Sequence, residues 1–176
     1  DEPAALLVGD ALLTEAFRIL TVTNLEPSVQ VQLLAELANG AGHVGMIGGQ
    51  AADIGMGGAV TEVDALMRLH NGKTGALIRT SVRMGAITAG ATADELNRLT
   101  VYGEAIGLAF QMADDILDKD EDAGEDGPPS YVKLLGEDET RHRARQLLDE
   151  ALSVCDSFSS SRHLASLALF TVDRDH

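Results

Sequence analysis

The chain has one cysteine, no tryptophan and only 3% aromatic residues in 176. A single thiol, Cys155, excludes an internal disulfide and any cysteine-rich zinc site. Its place in the spacing Leu148, Leu152, Cys155, Phe158 predicts a buried structural thiol. With aromatics so scarce, the core must be built from Ala, Leu, Val, Ile and Met, a palette that favours helix over strand. Basic residues are also few: 13 Lys and Arg face 28 Asp and Glu, for a formal net charge of −15. Such a chain is not expected to bind nucleic acid or an anionic membrane. It admits an anionic small substrate only where metal ions stand between the two. No apolar run approaches about 18 residues, so no stable membrane insertion is expected. The first residues do not follow a secretory signal pattern, and the expected setting is reducing and cytoplasmic. Five histidines (His43, His70, His142, His163 and His176) show no ligand spacing.

What is present is 45% apolar and 23% charged, a globular mixture. Leu6, Leu13, Phe17 and Leu20 recur at helical spacing, and Asn24-Leu25-Glu26-Pro27 reads as a turn into a second helix from about Ser28. That helix is expected to run through Leu33, Leu37 and Val44 toward Ile54. Its glycines (Gly40, Gly42, Gly45, Gly48 and Gly49) would let another backbone or a substrate approach closely. A third helix starts near Thr61, with Glu62 and Asp64 at its N-terminus, and is expected to bend where Asn71-Gly72 and Gly75 interrupt it. The fourth runs from Asp94 to Asp118. Gly124 to Pro129 breaks the chain, and helices from about Glu137 to Phe158 and His163 to Val172 complete it. Arg141, His142, Arg143 and Arg145 read as a solvated face balancing nearby acids. No period-2 run occurs, so residues 1–176 are expected to form a single all-α domain.

Asp114 and Asp118 are four apart and share one helix face, joined by Gln111 and Gly107. Asp115 lies beside them, and the neighbours are apolar, including Ile106, Phe110, Met112 and Ile116. Like charges on adjacent positions repel, partial burial raises that penalty, and a helix C-terminus is the wrong end for anions. A hard cation such as Mg²⁺ would offset all three. Spacing alone leaves open a solvated acidic helix end, continuous with Asp120, Glu121, Asp122, Glu125 and Asp126. An EF-hand loop starting at Asp118 is excluded, because Ala123 and Pro129 occupy the positions that need Gly and a bidentate Glu.

The segment Phe110-Gln111-Met112-Ala113-Asp114-Asp115-Ile116-Leu117-Asp118 resembles the second aspartate-rich motif of the trans-prenyltransferases, the farnesyl and geranylgeranyl diphosphate synthases and their longer-chain relatives. Three further segments resemble family motifs in the right order: Gly9-Asp10-Ala11-Leu12-Leu13, Gly49-Gln50-Ala51-Ala52-Asp53 and Lys73-Thr74-Gly75-Ala76-Leu77. The ending from Leu167 to Asp175 resembles the family's last helix. The resemblance implies the isoprenoid-synthase helical bundle and the coupling of isopentenyl diphosphate with an allylic diphosphate. It implies Mg²⁺, with Mn²⁺ as a substitute, a homodimer, and a short-chain product between farnesyl and geranylgeranyl diphosphate. Asp114 would be the direct metal ligand, with Asp115 and Asp118 holding the ion directly or through water. Lys73 would donate to the diphosphate. Thr74 and Gln111 would turn oxygen dipoles toward the allylic cation, while Phe110, Gln50 and Asp53 would line the substrate site.

Two departures stand against the family pattern. The earlier aspartate-rich motif with its arginine pair, and the N-terminal set that binds isopentenyl diphosphate, are not in these residues; Arg18 is the only arginine before Arg68. The expectation is therefore that the chain covers roughly the C-terminal three-fifths of the family fold and is inactive by itself. The alternative is a non-catalytic helical subunit that partners an active synthase. The second departure is that the Gly-Lys loop many members place after the second motif has no counterpart here. Lys119 and Lys133 are the nearest cations.

Overall fold

The computed structural model describes residues 1–119 and 127–173, and these contain helices and no strand. Helix α1, Glu2–Thr21, is started by Asp1, whose carboxylate accepts from the Ala4 N–H at 3.0 Å. Helix α2, Pro27–Ala41, begins on the proline that the turn at Asn24 leads into. The helix expected to continue toward Ile54 stops instead. Gly42 (φ −77°, ψ −166°) and Gly45 (φ −126°, ψ −122°) leave helical geometry, and α3 resumes over Met46–Asp53. A Cβ at Gly45 would collide with the carbonyl oxygen of Gly40, and one at Gly42 with that of Ala38. The chain folds back on the end of α2 along a path that these glycines leave clear.

Helix α4 spans Val63–His70 and α5 spans Ala76–Thr88. The bend expected between them is a π-helical turn, Asn71–Gly75, so the rod is widened rather than broken. Helix α6, Ala93–Leu117, is the longest, and a capping box starts it. The Thr92 hydroxyl accepts from the Glu95 N–H at 3.3 Å, and the Glu95 carboxylate accepts from the Thr92 N–H at 2.8 Å. A short helix, α7 (Tyr131–Leu135), follows the prolines and is capped by the Ser130 hydroxyl. Helix α8, Glu137–Asp156, starts on three acids after Gly136 at φ 83°, and α9 spans Arg162–Asp173. The acidic run at 120–126 lies outside the described residues.

Helix α6 is the axis. Its Tyr102, Ala105 and Ile106 pack with Leu148, Ala151 and Cys155 of α8 and Ala168 of α9. Further along, Leu108 and Met112 meet Leu66 of α4, Tyr131 of α7 and Ala144 of α8. Cys155 is 2% exposed, the inert buried thiol its spacing predicts. The basic cluster on α8 is a solvated face: Arg141 pairs with Glu137, Arg143 with Glu139, and Arg145 with Asp173. Arg83 of α5 holds the Glu36 carboxylate of α2 with two bonds, at 2.8 and 2.6 Å, and donates to Thr100 of α6 at 2.6 Å. That bidentate contact keeps the Glu36 carboxyl below its ordinary range.

Glycines set the closest approaches. A Cβ at Gly49 would collide with the backbone N of Lys73, and one at Gly107 would lie 2.8 Å from the Cα of Gly75. The π turn is thereby gripped between α3 and α6 at backbone distance. Gly103 repeats the device one turn earlier on α6, against the Cα of Arg79 at 2.8 Å. Neither partner in these contacts is a side chain that could swing away. Helix α1, by contrast, packs chiefly on α2 and leaves Leu6, Leu7, Leu12 and Ile19 exposed. Among the described residues no helix is long and apolar enough to cross a membrane.

His70 closes α4 with its ring edge-on to Tyr131, at 5.2 Å between centroids and 64° between planes. Burial, reinforced by the nearby Lys73 charge, pushes the imidazole from its ordinary 6.5 down to about 4.

Gly49→Ala forces the π turn off α3 and should destabilise the protein by about 1–3 kcal/mol in urea denaturation. Gly85→Ala, inside α5 with nothing within 4 Å of the new methyl, should stabilise it by up to about 1 kcal/mol. For His70, the unfolded chain takes up a proton near 6.5 and the folded chain only near 4. Stability that is complete above 6.5 is therefore lost as pH falls toward 4, by roughly 3 kcal/mol in all. In denaturation series, His70→Phe should flatten that dependence between pH 6.5 and 5, where carboxylates contribute least.

Candidate active site

The π turn carries Lys73 and Thr74, both half-buried. Lys73 Nζ donates to Asp53 Oδ2 at 2.6 Å, and Gln50 Nε2 donates to the same oxygen at 3.2 Å. Gln50 and Asp53 lie three apart near the end of α3, on adjacent turns of one face. The contact of Gly49 with Lys73 N brings α3 close enough for the twenty-residue separation to close into an ion pair. A part-exposed pair of this kind adds about 0–1 kcal/mol to stability. Its effect is geometric: it orients an ammonium that the sequence places in an otherwise apolar helix.

On α6, Gln111 Nε2 donates to Asp114 Oδ2 at 3.3 Å, so these two side chains share one face as their spacing requires. Phe110 is half-buried beside them, and Asp118 is exposed at the C-cap. Gly107 lies on the same stripe as Gln111 and Asp114. The surface gripping the π turn therefore continues, over about 10 Å of helix rise, into the aspartates.

Asp115 behaves differently from its neighbour. Its Oδ2 accepts the backbone N–H of Tyr131 at 2.5 Å, which ties the end of α6 to the start of α7. Among the described residues no three carboxylate, histidine or cysteine side chains converge on a metal-sized position. The three aspartates thus are not a preassembled cage. Mg²⁺ does not need one, because it takes one or two carboxylates and completes its shell with water and phosphate oxygens. Asp114 and Asp118, one turn apart on α6, supply a donor set of that kind. The residues present fit the ion.

The structure joins Gln50, Asp53 and Lys73 in one hydrogen-bonded group and Gln111 with Asp114 in a second. Thr74 follows Lys73 on the turn. Lys119 is drawn to Glu137 at 2.7 Å. Lys133 donates to the Pro128 carbonyl at 3.1 Å and, with Asp53, lines a cavity of about 440 Å³ between α3 and α7. Two residues behind the site escape sequence reasoning, His70 and Tyr131. The signals were there: Val63, Leu66 and His70 continue one helical stripe, and Ser130 with Gly136 marks a helix start and stop.

Comparison with known proteins places the chain in a family. The sequence profile described as Polyprenyl synthetase matches residues 1–158. Farnesyl diphosphate synthase of Escherichia coli (strain K12) is 44% identical over 165 residues, covering 85% of this chain and 55% of that protein. A chloroplastic geranylgeranyl pyrophosphate synthase of Capsicum annuum is 36% identical over 181 residues, covering 96% of this chain and 49% of its own length. An FPP/GFPP synthase from Zymomonas mobilis superposes with a TM-score of 0.88 at 36% identity, over 98% of this chain and 62% of that one. A geranyltransferase from Helicobacter pylori, complexed with magnesium and isoprenyl diphosphate, gives 0.79 at 34%, over 98% and 60%. The chain thus spans about half to three-fifths of the length of these relatives. Its helices form the bundle of the isoprenoid synthases, and the chain belongs to the polyprenyl synthetase family.

Proposed function

We propose that the protein containing this chain is a Mg²⁺-dependent prenyltransferase that condenses isopentenyl diphosphate with an allylic diphosphate. The product would be short-chain, between farnesyl and geranylgeranyl diphosphate. The observation that carries the reading is the Lys73 turn, locked by glycine contacts against the helix that ends in Asp114, Asp115 and Asp118. A fixed ammonium and a carboxylate pair on one rigid surface suit a group that leaves as diphosphate.

Mg²⁺, with Mn²⁺ as a substitute, would be held by Asp114 and Asp118; when bound, it supplies the positive charge that a diphosphate needs in order to depart. Asp115 fixes the end of α6 through Tyr131. Lys73 donates to the diphosphate, and Asp53 with Gln50 aims it. Thr74 and Gln111 direct oxygen dipoles toward the allylic cation. Phe110 contributes apolar wall to a cavity that keeps water from it. The relative crystallised with magnesium and isoprenyl diphosphate supports this ligand set. The reaction setting is proposed to be cytoplasmic.

The exposed apolar residues of α1, namely Leu6, Leu7, Leu12 and Ile19, support a homodimer formed through the α1–α2 side.

For the full-length gene product, turnover of isopentenyl and allylic diphosphates should require Mg²⁺. Lys73→Ala should lower kcat by about 10²–10³-fold, and Asp114→Asn should weaken Mg²⁺-dependent binding of a bisphosphonate by at least about 100-fold. Loss of neither property in these variants would refute the assignment. Analytical ultracentrifugation should give a dimer that Leu12→Glu dissociates. A monomeric wild type would remove the homodimer, and a dimer without turnover would point to the non-catalytic subunit.

A further inference from the structure

His70 is the last residue of α4, and the turn that carries Lys73 begins at the next position. Tyr131 is the first residue of α7, and its N–H is the one that holds Asp115. The two rings meet edge-on. A continuous chain of contacts therefore runs from the lysine turn through His70 and Tyr131 to the aspartate end of α6. No other ring pair in the described residues joins these two parts of the site.

Both side chains are sealed, at 8% exposure for His70 and 0% for Tyr131. Yet His70 Nδ1 and the Tyr131 hydroxyl have no hydrogen-bond partner among the described residues. Buried polar atoms are nearly always satisfied, and an orphan is costly. Two orphans on two touching rings, one of them set in the apolar cluster of Leu66, Leu108, Met112 and Ala144, have one economical solution. A single water can accept from or donate to both, since a hydroxyl and a neutral imidazole nitrogen each take either role. If packing alone were at stake, phenylalanine at both positions would fill the same space with nothing to satisfy.

We infer that His70 Nδ1 and the Tyr131 hydroxyl are bridged by one buried water, and that this link holds the lysine turn in register with the end of α6. His70 is then a positioning residue for Lys73, and Tyr131 one for Asp115. The link itself is a property of the folded chain; its effect on catalysis rests on the proposed role of Lys73.

Two readouts on the full-length protein test it. In ¹H–¹⁵N spectra of the imidazole, the wild-type His70 Nδ1 resonance should be hydrogen-bonded and should move on Tyr131→Phe. An unmoved resonance overturns the link whether or not the protein turns over substrate. In steady-state kinetics, His70→Phe and Tyr131→Phe should each lower kcat about tenfold, with KM within twofold of wild type. The double variant should be no slower than the worse single variant, because one bridge is lost only once. His70→Asn, which keeps a polar atom near the Nδ1 position, should restore most of the rate. Wild-type rates in both phenylalanine variants, or fully additive losses, overturn the positioning role. If His70→Phe fails to fold, Tyr131→Phe alone decides through the same two measurements. An inactive wild type refutes the proposed function and leaves the spectroscopic test of the link standing.

Discussion

Backbone-to-backbone contact through glycine is the constraint on which the rest of this molecule depends. Gly49 lets α3 touch the π turn on one side, and Gly107 lets α6 touch it on the other. Each contact lacks the intervening side-chain layer that ordinarily keeps helices 8–10 Å apart. The ammonium of Lys73 gains its position from this double grip, because the turn beneath it cannot slide. Asp53 and Gln50 then act on a group whose origin is already fixed. Interiors packed this tightly relax little, so a misplacement at either glycine passes straight to the site.

The two ends of the candidate site are supported in different ways. Lys73 is placed by backbone contact and aimed by an ion pair at its tip. The aspartates stand at the C-terminal end of a long helix, where the dipole opposes them and where an ordered environment has to come from elsewhere. Part of that environment is α7: its first N–H donates to the Asp115 carboxylate, and its tyrosine is buried in the cluster that contains Leu108 and Met112 of α6. A carboxylate engaged in this way anchors the helix end beside Asp114 and Asp118.

Much of the fold is legible in the sequence because the signals are local. Asp94 and Glu95 announce α6, and Thr92 completes their capping box. The interruption at Asn71-Gly72 announces the bend, and the apolar spacing around Cys155 announces its burial. What resists reading depends on contacts far along the chain. The break at Gly42 and Gly45 is set by carbonyls of α2 onto which the chain folds back, and helical propensity cannot register a collision that a missing Cβ avoids. Lys73 and Asp53 are separated by twenty residues, and only the assembled bundle makes them partners. His70 carries no ligand spacing because its neighbour in space, Tyr131, belongs to a five-residue helix too short for periodicity to reveal.

The π turn has a geometric consequence beyond its cargo. Each residue advances a helix by about 100°, so one extra residue in a turn rotates everything after it by that amount. On an uninterrupted α-helix from Leu66, residues Ile78 and Val82 would fall about 120° and 160° away from it. With one residue absorbed by the widened turn, they swing back to within about 60°. In the structure Leu66 of α4 and Ile78 and Val82 of α5 all pack toward α6. The widened turn thus works as a phase corrector. Removing a residue from it would rotate the apolar side of α5 away from α6, so the length of the lysine segment is fixed by helical phase as firmly as its composition is by close approach.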